Sequence, residues 1–248
     1  MFGDDLLMQM PGKAAMGRRA MMLKCLAAVA AAAGIAGAAE EDRLRVAYVE
    51  HKTRGGWGRD WQYYGGANMG KFLRMLDKYT HIQIDTTPDA VSFRDEDRER
   101  LFGFPILFMT SNNVAVMSAQ EIRNMREYLL RGGFLLGDDC VLEGSYSSSQ
   151  PPKFTRGFTA LMSEVFPERP LEVIPTDHSV YHCYYNFPGL PQFHPNGRWD
   201  GMGIFDGDRL MVMLSPNDLC CGWQFNWGEY SQNAFKMGIN IFVYALTH

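Results

Sequence analysis

Two adjacent acids, Asp138 and Asp139, close an apolar run, Phe134-Leu-Leu136, that reads as a buried strand. A carboxylate there is costly to bury unless it meets water, a metal or a helix N-terminus. Alternation along the strand sends the two side chains to opposite sides. One can cap the next turn, a role Asp favours. The other can face the cleft beyond the strand end, and Asp139, farther from the apolar core, is assigned there. With His178, His182 and Cys140, Asp139 would offer carboxylate, imidazole and thiolate donors to a divalent metal. Beside His178 alone it would form an acid–base pair for a hydrolase acting on a glycan or an amide. No other cofactor is expected.

Cys140 could instead be a nucleophile at a strand-to-helix turn. Its flanks, Gly137-Asp-Asp-Cys140-Val, lack a Gly-x-Cys-x-Gly elbow, and acidic neighbours raise a thiol pKa. Cys220 and Cys221 are adjacent and bridge only with strain, so they read as packed or separately paired thiols.

The aromatic residues are unevenly placed. Trp57, Trp61, Trp199, Trp223 and Trp227 fall in three segments that read as loops, with Tyr63, Tyr64, Tyr184 and Tyr185 close by in sequence. If the loops converge, their rings and the carboxylate of Asp218 form an aromatic pocket, or a carbohydrate-binding module. The alternative is that long loops pack on each other. The ligand-binding candidates are therefore Trp57, Trp61, Asp138, Asp139, His178, Asp218 and Trp223.

These residues need a scaffold. The chain has 248 residues, 46% hydrophobic and 21% charged, with a net charge of −4. That balance excludes collagen-like, low-complexity and largely disordered chains. No basic block stands out, which argues against a nucleic-acid partner.

Residues 1–39 read as an export signal. Arg18, Arg19 and Lys24 form a basic region, and an alanine-rich stretch runs to Ala39, ahead of Glu40-Glu41-Asp42. The uncharged run 25–39 is shorter than the ~20 residues of a spanning helix. No membrane span is then expected after cleavage. The Arg18-Arg19 pair fits a twin-arginine route as well as an ordinary secretory one. Residues 1–15 look like an over-called start, with Met16 the initiator. The expected location is periplasmic, and residues 40–248 form one domain.

Within that domain, strands are expected at Leu44–Glu50, around Ile82 and Ile84, at Pro105–Thr110, Phe134–Leu136, Leu171–Ile174 and Arg209–Leu214. Helices are expected over 67–79, from Ser118 to a C′ glycine at Gly132, over Thr155–Val165 and over Ser231–Leu246. Ser92, with Asp95 three residues on, reads as a second capping box. Alternating strands and helices give an α/β three-layer sandwich with a mainly parallel sheet.

Several segments resemble the bacterial domain-of-unknown-function family numbered 4159. They are Leu129-Leu-Arg-Gly-Gly-Phe-Leu-Leu with Asp138-Asp139, Phe166-Pro-Glu-Arg-Pro-Leu, Asp177-His178 with Tyr181, Ser215-Pro-Asn-Asp-Leu-Cys-Cys-Gly-Trp223, and Gly238-Ile-Asn-Ile with Tyr244-Ala-Leu. The helix–Gly-Gly–strand unit also resembles the class I glutamine-amidotransferase-like, flavodoxin-like fold. The family carries no established reaction. Its resemblance implies export and a partnership with MoxR-type ATPase and von Willebrand A-domain systems. Ser111-Asn112 stands where a Gly-His pair is expected, and Cys220 precedes the expected Cys221. The expectation is a non-enzymatic ligand- or partner-binding accessory of a cell-envelope complex. The alternatives are the hydrolase and the carbohydrate-binding module.

Overall fold

The computed structural model describes residues 43–54, 66–139, 151–197 and 199–248. In chain order its strands are β1 (Ala47–Val49), β2 (Lys52–Arg54), β3 (Asp89–Val91), β4 (Ile106–Ser111), β5 (Val114–Val116), β6 (Phe134–Asp139), β7 (Glu172–Val173), β8 (Met202–Asp206) and β9 (Arg209–Ser215). The helices are α1 (Asn68–Tyr79), α2 (Arg98–Leu101), α3 (Ala119–Leu130), α4 (Lys153–Val165), α5 (Leu219–Gln224) and α6 (Glu229–Thr247). None of the described helices is long and apolar enough to cross a membrane.

Seven strands form one sheet in the order β3-β1-β4-β6-β9-β8-β7. The first five are mutually parallel, and β8 and β7 add to the far side antiparallel. Counting only the parallel strands, the order is 2-1-3-4-5, the flavodoxin-like arrangement. The apolar runs of β4 and β6 are buried at every position because helices cover both faces. On one face Phe108 and Leu136 pack with Phe72 of α1, Trp223 of α5 and Phe242 of α6. On the other, Leu107 and Leu135 pack with Met125 and Leu129 of α3 and Phe158 of α4. The result is the expected three-layer α/β sandwich.

Helix α3 shows why local signals were readable. The Ser118 Oγ accepts from the Glu121 amide while the Glu121 carboxylate accepts from the Ser118 amide. At the other end Gly132 turns left-handed (φ 104°), so its amide reaches the Leu129 carbonyl and that of Gly133 reaches Tyr128.

Other expectations need correcting. Ser92 pairs with Asp97, not Asp95, whose carboxylate accepts instead from Asn124. Around Ile82 and Ile84 there is one bridge, Leu44 to Ile84, rather than a strand. The edge strand β3, the short helix α5 and strand β8 were not anticipated. Neither was the antiparallel ribbon β2–β5, in which Thr53 pairs with Ala115. Each is six residues or fewer, too short for periodicity to declare it.

Candidate functional site

In an open parallel sheet the carboxyl ends of the strands form the natural binding edge, and the crevice opens where strand order reverses. Here that point lies between β1 and β4. The segments that leave these two strands immediately pair as the β2–β5 ribbon, and the His51 Nε2 sits 3.3 Å from the Thr110 carbonyl. The ribbon thus closes over the switch point. What remains of the edge is formed by β4, β6 and β9, whose last residues stand in register: Thr110 beside Asp138 beside Ser215, and Ser111 beside Asp139. All five are buried.

Both acids of the Asp138-Asp139 pair cap helices. Asp138 faces the α5 layer, where its two carboxylate oxygens accept from the Leu219 and Cys220 amides at 2.9 and 2.8 Å. Asp139 faces the α4 layer and accepts from the Thr155 amide at 2.5 Å. Burial pushes both carboxyl pKa values up to about 7, and these hydrogen bonds pull against it. For Asp139 the charge of Asp218 adds to the rise.

Between β9 and α5 the chain turns through Asp218, whose backbone is left-handed (φ 64°). Asp is among the few non-glycine residues that enter this region readily. The turn gathers a donor set: the Asp218 carboxylate and the Cys220 and Cys221 thiols have ligand atoms within 4.8 Å of one another, all buried. The Cys220 Sγ also lies 3.8 Å from the Thr110 Oγ1. Nearby, the Asn217 side chain accepts from the Trp199 amide and donates to its carbonyl, pinning the preceding loop to this edge.

The expected pairing of Asp139 with His178 does not form. The His178 ring packs on Phe205 and Tyr244, and the Tyr244 hydroxyl accepts from the Leu210 amide. Leu210 begins β9 level with the start of β6, since Leu135 pairs with Val212. Asp139 ends β6, so roughly 20 Å of strand separates the two levels. His178 caps a one-turn 3-10 helix by accepting from the Val180 amide, and burial lowers its pKa. His182 is held in the same loop by Asn186 and the Thr176 carbonyl. The proposed Asp139–His178–His182 metal set is therefore not assembled. Its fourth member, Cys140, lies outside the described residues.

Of the aromatic candidates, Trp57 and Trp61 also lie outside the described residues. Trp223 is a core residue rather than a pocket wall. It sits in α5, fully buried, stacked on Phe72 at 4.5 Å, with its Nε1 donating to the Ala234 carbonyl. It read as a loop residue because α5 is only six residues long. A smaller aromatic surface does exist just after α5, where Phe225 stacks on Trp227 at 5.1 Å and His194 meets Trp227 edge-on.

Sequence reasoning singled out Asp218 but did not join it to Cys220 and Cys221. The Asp-Leu-Cys-Cys string was the available signal. Its meaning depends on the Asp218 turn, which composition does not announce.

Fold and edge together define an open, mainly parallel α/β sandwich whose carboxyl edge is lined by buried polar and thiol groups. The chain belongs to a family defined by sequence: residues 45–246 match the model described as Domain of unknown function (DUF4159). No curated protein matches the chain.

Proposed function

We propose that this protein is an exported, non-enzymatic accessory of a cell-envelope complex, and that it engages its ligand or partner at the carboxyl edge of β4, β6 and β9. The observation that carries this reading is the use of Asp138 and Asp139. Both are committed to helix amides, which suits anchors that shape a binding edge better than a mobile acid and base. The hydrolase alternative loses its proposed acid–base pair, because His178 sits at the other end of the sheet. The signal-like residues 1–39 support export. Resemblance to the family supports a MoxR-type ATPase or von Willebrand A-domain partner and an amidotransferase-like ancestry for the fold.

Asn112 is half-buried at the mouth of this edge, between β4 and β5. The test is comigration, on size exclusion, of the exported protein with a von Willebrand A-domain or MoxR-type protein of the same cells. Asn112→Trp should abolish comigration while the chain still folds and unfolds cooperatively. Undiminished comigration of that variant would remove the edge from the interface.

The carbohydrate-binding reading keeps one favourable observation, the stacked pair Phe225–Trp227. Phe225 is 45% exposed, and aromatic faces of this kind stack on sugar rings. Retention of the protein on insoluble peptidoglycan, lost in Trp227→Ala, is the outcome that would favour it.

A further inference from the structure

We infer that Asp218, Cys220 and Cys221 form a binding site for one thiophilic divalent cation of the zinc type. The inference rests on reading the carboxyl edge as the binding site and names a ligand for it.

The donor set comes first. Two thiolates and a carboxylate suit a borderline-soft ion such as Zn²⁺, whereas Mg²⁺ and Ca²⁺ take oxygen donors. Their ligand atoms already lie within 4.8 Å of one another. A tetrahedral ion with bonds of about 2.0–2.3 Å would need only small side-chain rotations to bring them to ligand spacing. The backbone has done the expensive part, since the left-handed turn at Asp218 starts α5 with the Cys220 Sγ 3.8 Å from the Asp218 Oδ1.

The outer surroundings fit as well. Asp138 accepts from the Leu219 and Cys220 amides and so fixes the first turn of α5 that carries both thiols. Ligands held by such outer hydrogen bonds bind metal more tightly. Three protein donors leave one tetrahedral position for a water or for the partner's own donor.

Binding releases the thiol protons and forms metal–sulfur bonds, with no redox step. The test uses the full chain, purified without chelator, stripped with EDTA and titrated with Co²⁺ and then Zn²⁺. One Co²⁺ per chain with a thiolate charge-transfer band, bleached by one equivalent of Zn²⁺, is the expected result. Changes to outer-shell partners typically cost 10–100-fold in affinity, so Cys220→Ser or Cys221→Ser should weaken binding by at least about 100-fold. Asp218→Asn should weaken it while keeping the charge-transfer band.

Should a serine variant fail to fold, alkylation of the unmodified chain at a urea concentration just below its unfolding transition, where buried thiols open to the reagent, gives an independent readout. Zn²⁺ should protect Cys220 and Cys221 but not Cys183, whose Sγ donates to the Asn240 carbonyl on α6. Absence of a charge-transfer band, equal alkylation with and without Zn²⁺, or a Cys220–Cys221 disulfide in the exported protein would each overturn the proposal. Comigration with the partner that survives loss of the metal would take the metal out of the interface and leave both the metal site and the edge standing. A metal that binds normally to a chain whose comigration ignores Asn112→Trp would leave the metal site standing and remove the interface.

Discussion

Asp138 and Asp139 are neighbours in the chain, yet they hold helices in opposite layers of the sandwich. The first binds the start of α5 and the second the start of α4. Strand alternation is the cause, because consecutive side chains leave β6 on opposite faces. The pair thereby ties both helical layers to the same end of the same strand.

Removing the first of these anchors should be costly. Asp138→Ala leaves two buried amides without an acceptor, and each such loss costs ~1–3 kcal/mol. Urea unfolding should show a loss of about 2–6 kcal/mol. Asp138→Asn keeps one acceptor oxygen and should lose less than half as much. Equal losses for the two variants would mean that the carboxylate serves charge rather than capping.

The second anchor gives stability a pH dependence. The Asp139 pKa rises from its ordinary 3.8 to about 7 on folding, chiefly through burial. Between these values the folded chain holds a proton that unfolding releases, so the Asp139 contribution falls as pH rises from about 4 through 7. His178 acts in the other direction. Its pKa is lowered by burial, so its contribution is lost as pH falls below 6.5. Comparing unfolding free energies of the native chain and Asp139→Asn from pH 4 to 8 isolates the first effect. The variant should gain relative stability with rising pH, and a constant difference would place the Asp139 pKa at its ordinary value.

Helix α3 packs on the sheet through Met125 and Leu129, both fully buried. Leu129→Ala should therefore cost ~2–5 kcal/mol as a core cavity. A change within ~0.5 kcal/mol would class the helix as a surface element.

Much of this architecture was legible in the sequence, and the limits follow from length and distance. The runs at Pro105–Thr110 and Phe134–Leu136 announced buried strands because they are apolar and bounded by turn or acidic residues. Helix α3 announced both its ends because Ser118, Glu121 and Gly132 act within one turn of themselves. The site was less legible. Asp138 and Asp139 were recognised as a pair needing partners, but those partners, Leu219, Cys220 and Thr155, are 81, 82 and 16 residues away. Nothing local could place His178 at the amino end of the sheet. Trp223 misled because an aromatic residue in a six-residue helix carries no helical period.

The proposed export makes a separate prediction. Small residues and then acids follow the alanine-rich stretch, so the exported chain should begin within a few residues of Glu40. N-terminal sequencing of the exported form checks it, and a chain still carrying Met16 would reject it. Changing Arg18 and Arg19 to Lys should stall export only on a twin-arginine route.

Gly137 supplies the last prediction, because it lets α4 approach the strand that holds both anchors. A Cβ at Gly137 would lie 2.8 Å from the Phe158 ring of α4. That is closer than carbon atoms tolerate, so Gly137→Ala must push the ring or the whole helix outward. The ring is fully buried and tilted against Phe154 at 5.5 Å, which leaves it little room to turn. Overpacking of this kind costs ~1–3 kcal/mol. If the helix moves, the Thr155 amide moves with it and the bond to Asp139 two residues along β6 lengthens. The second substitution Phe158→Leu removes the clashing ring edge. A double-mutant cycle should then show the Gly137→Ala penalty shrinking by about 1 kcal/mol or more in the Leu background. Strictly additive effects would mean that the strand and not α4 absorbs the new methyl group, and that the spacing between β6 and α4 is set elsewhere.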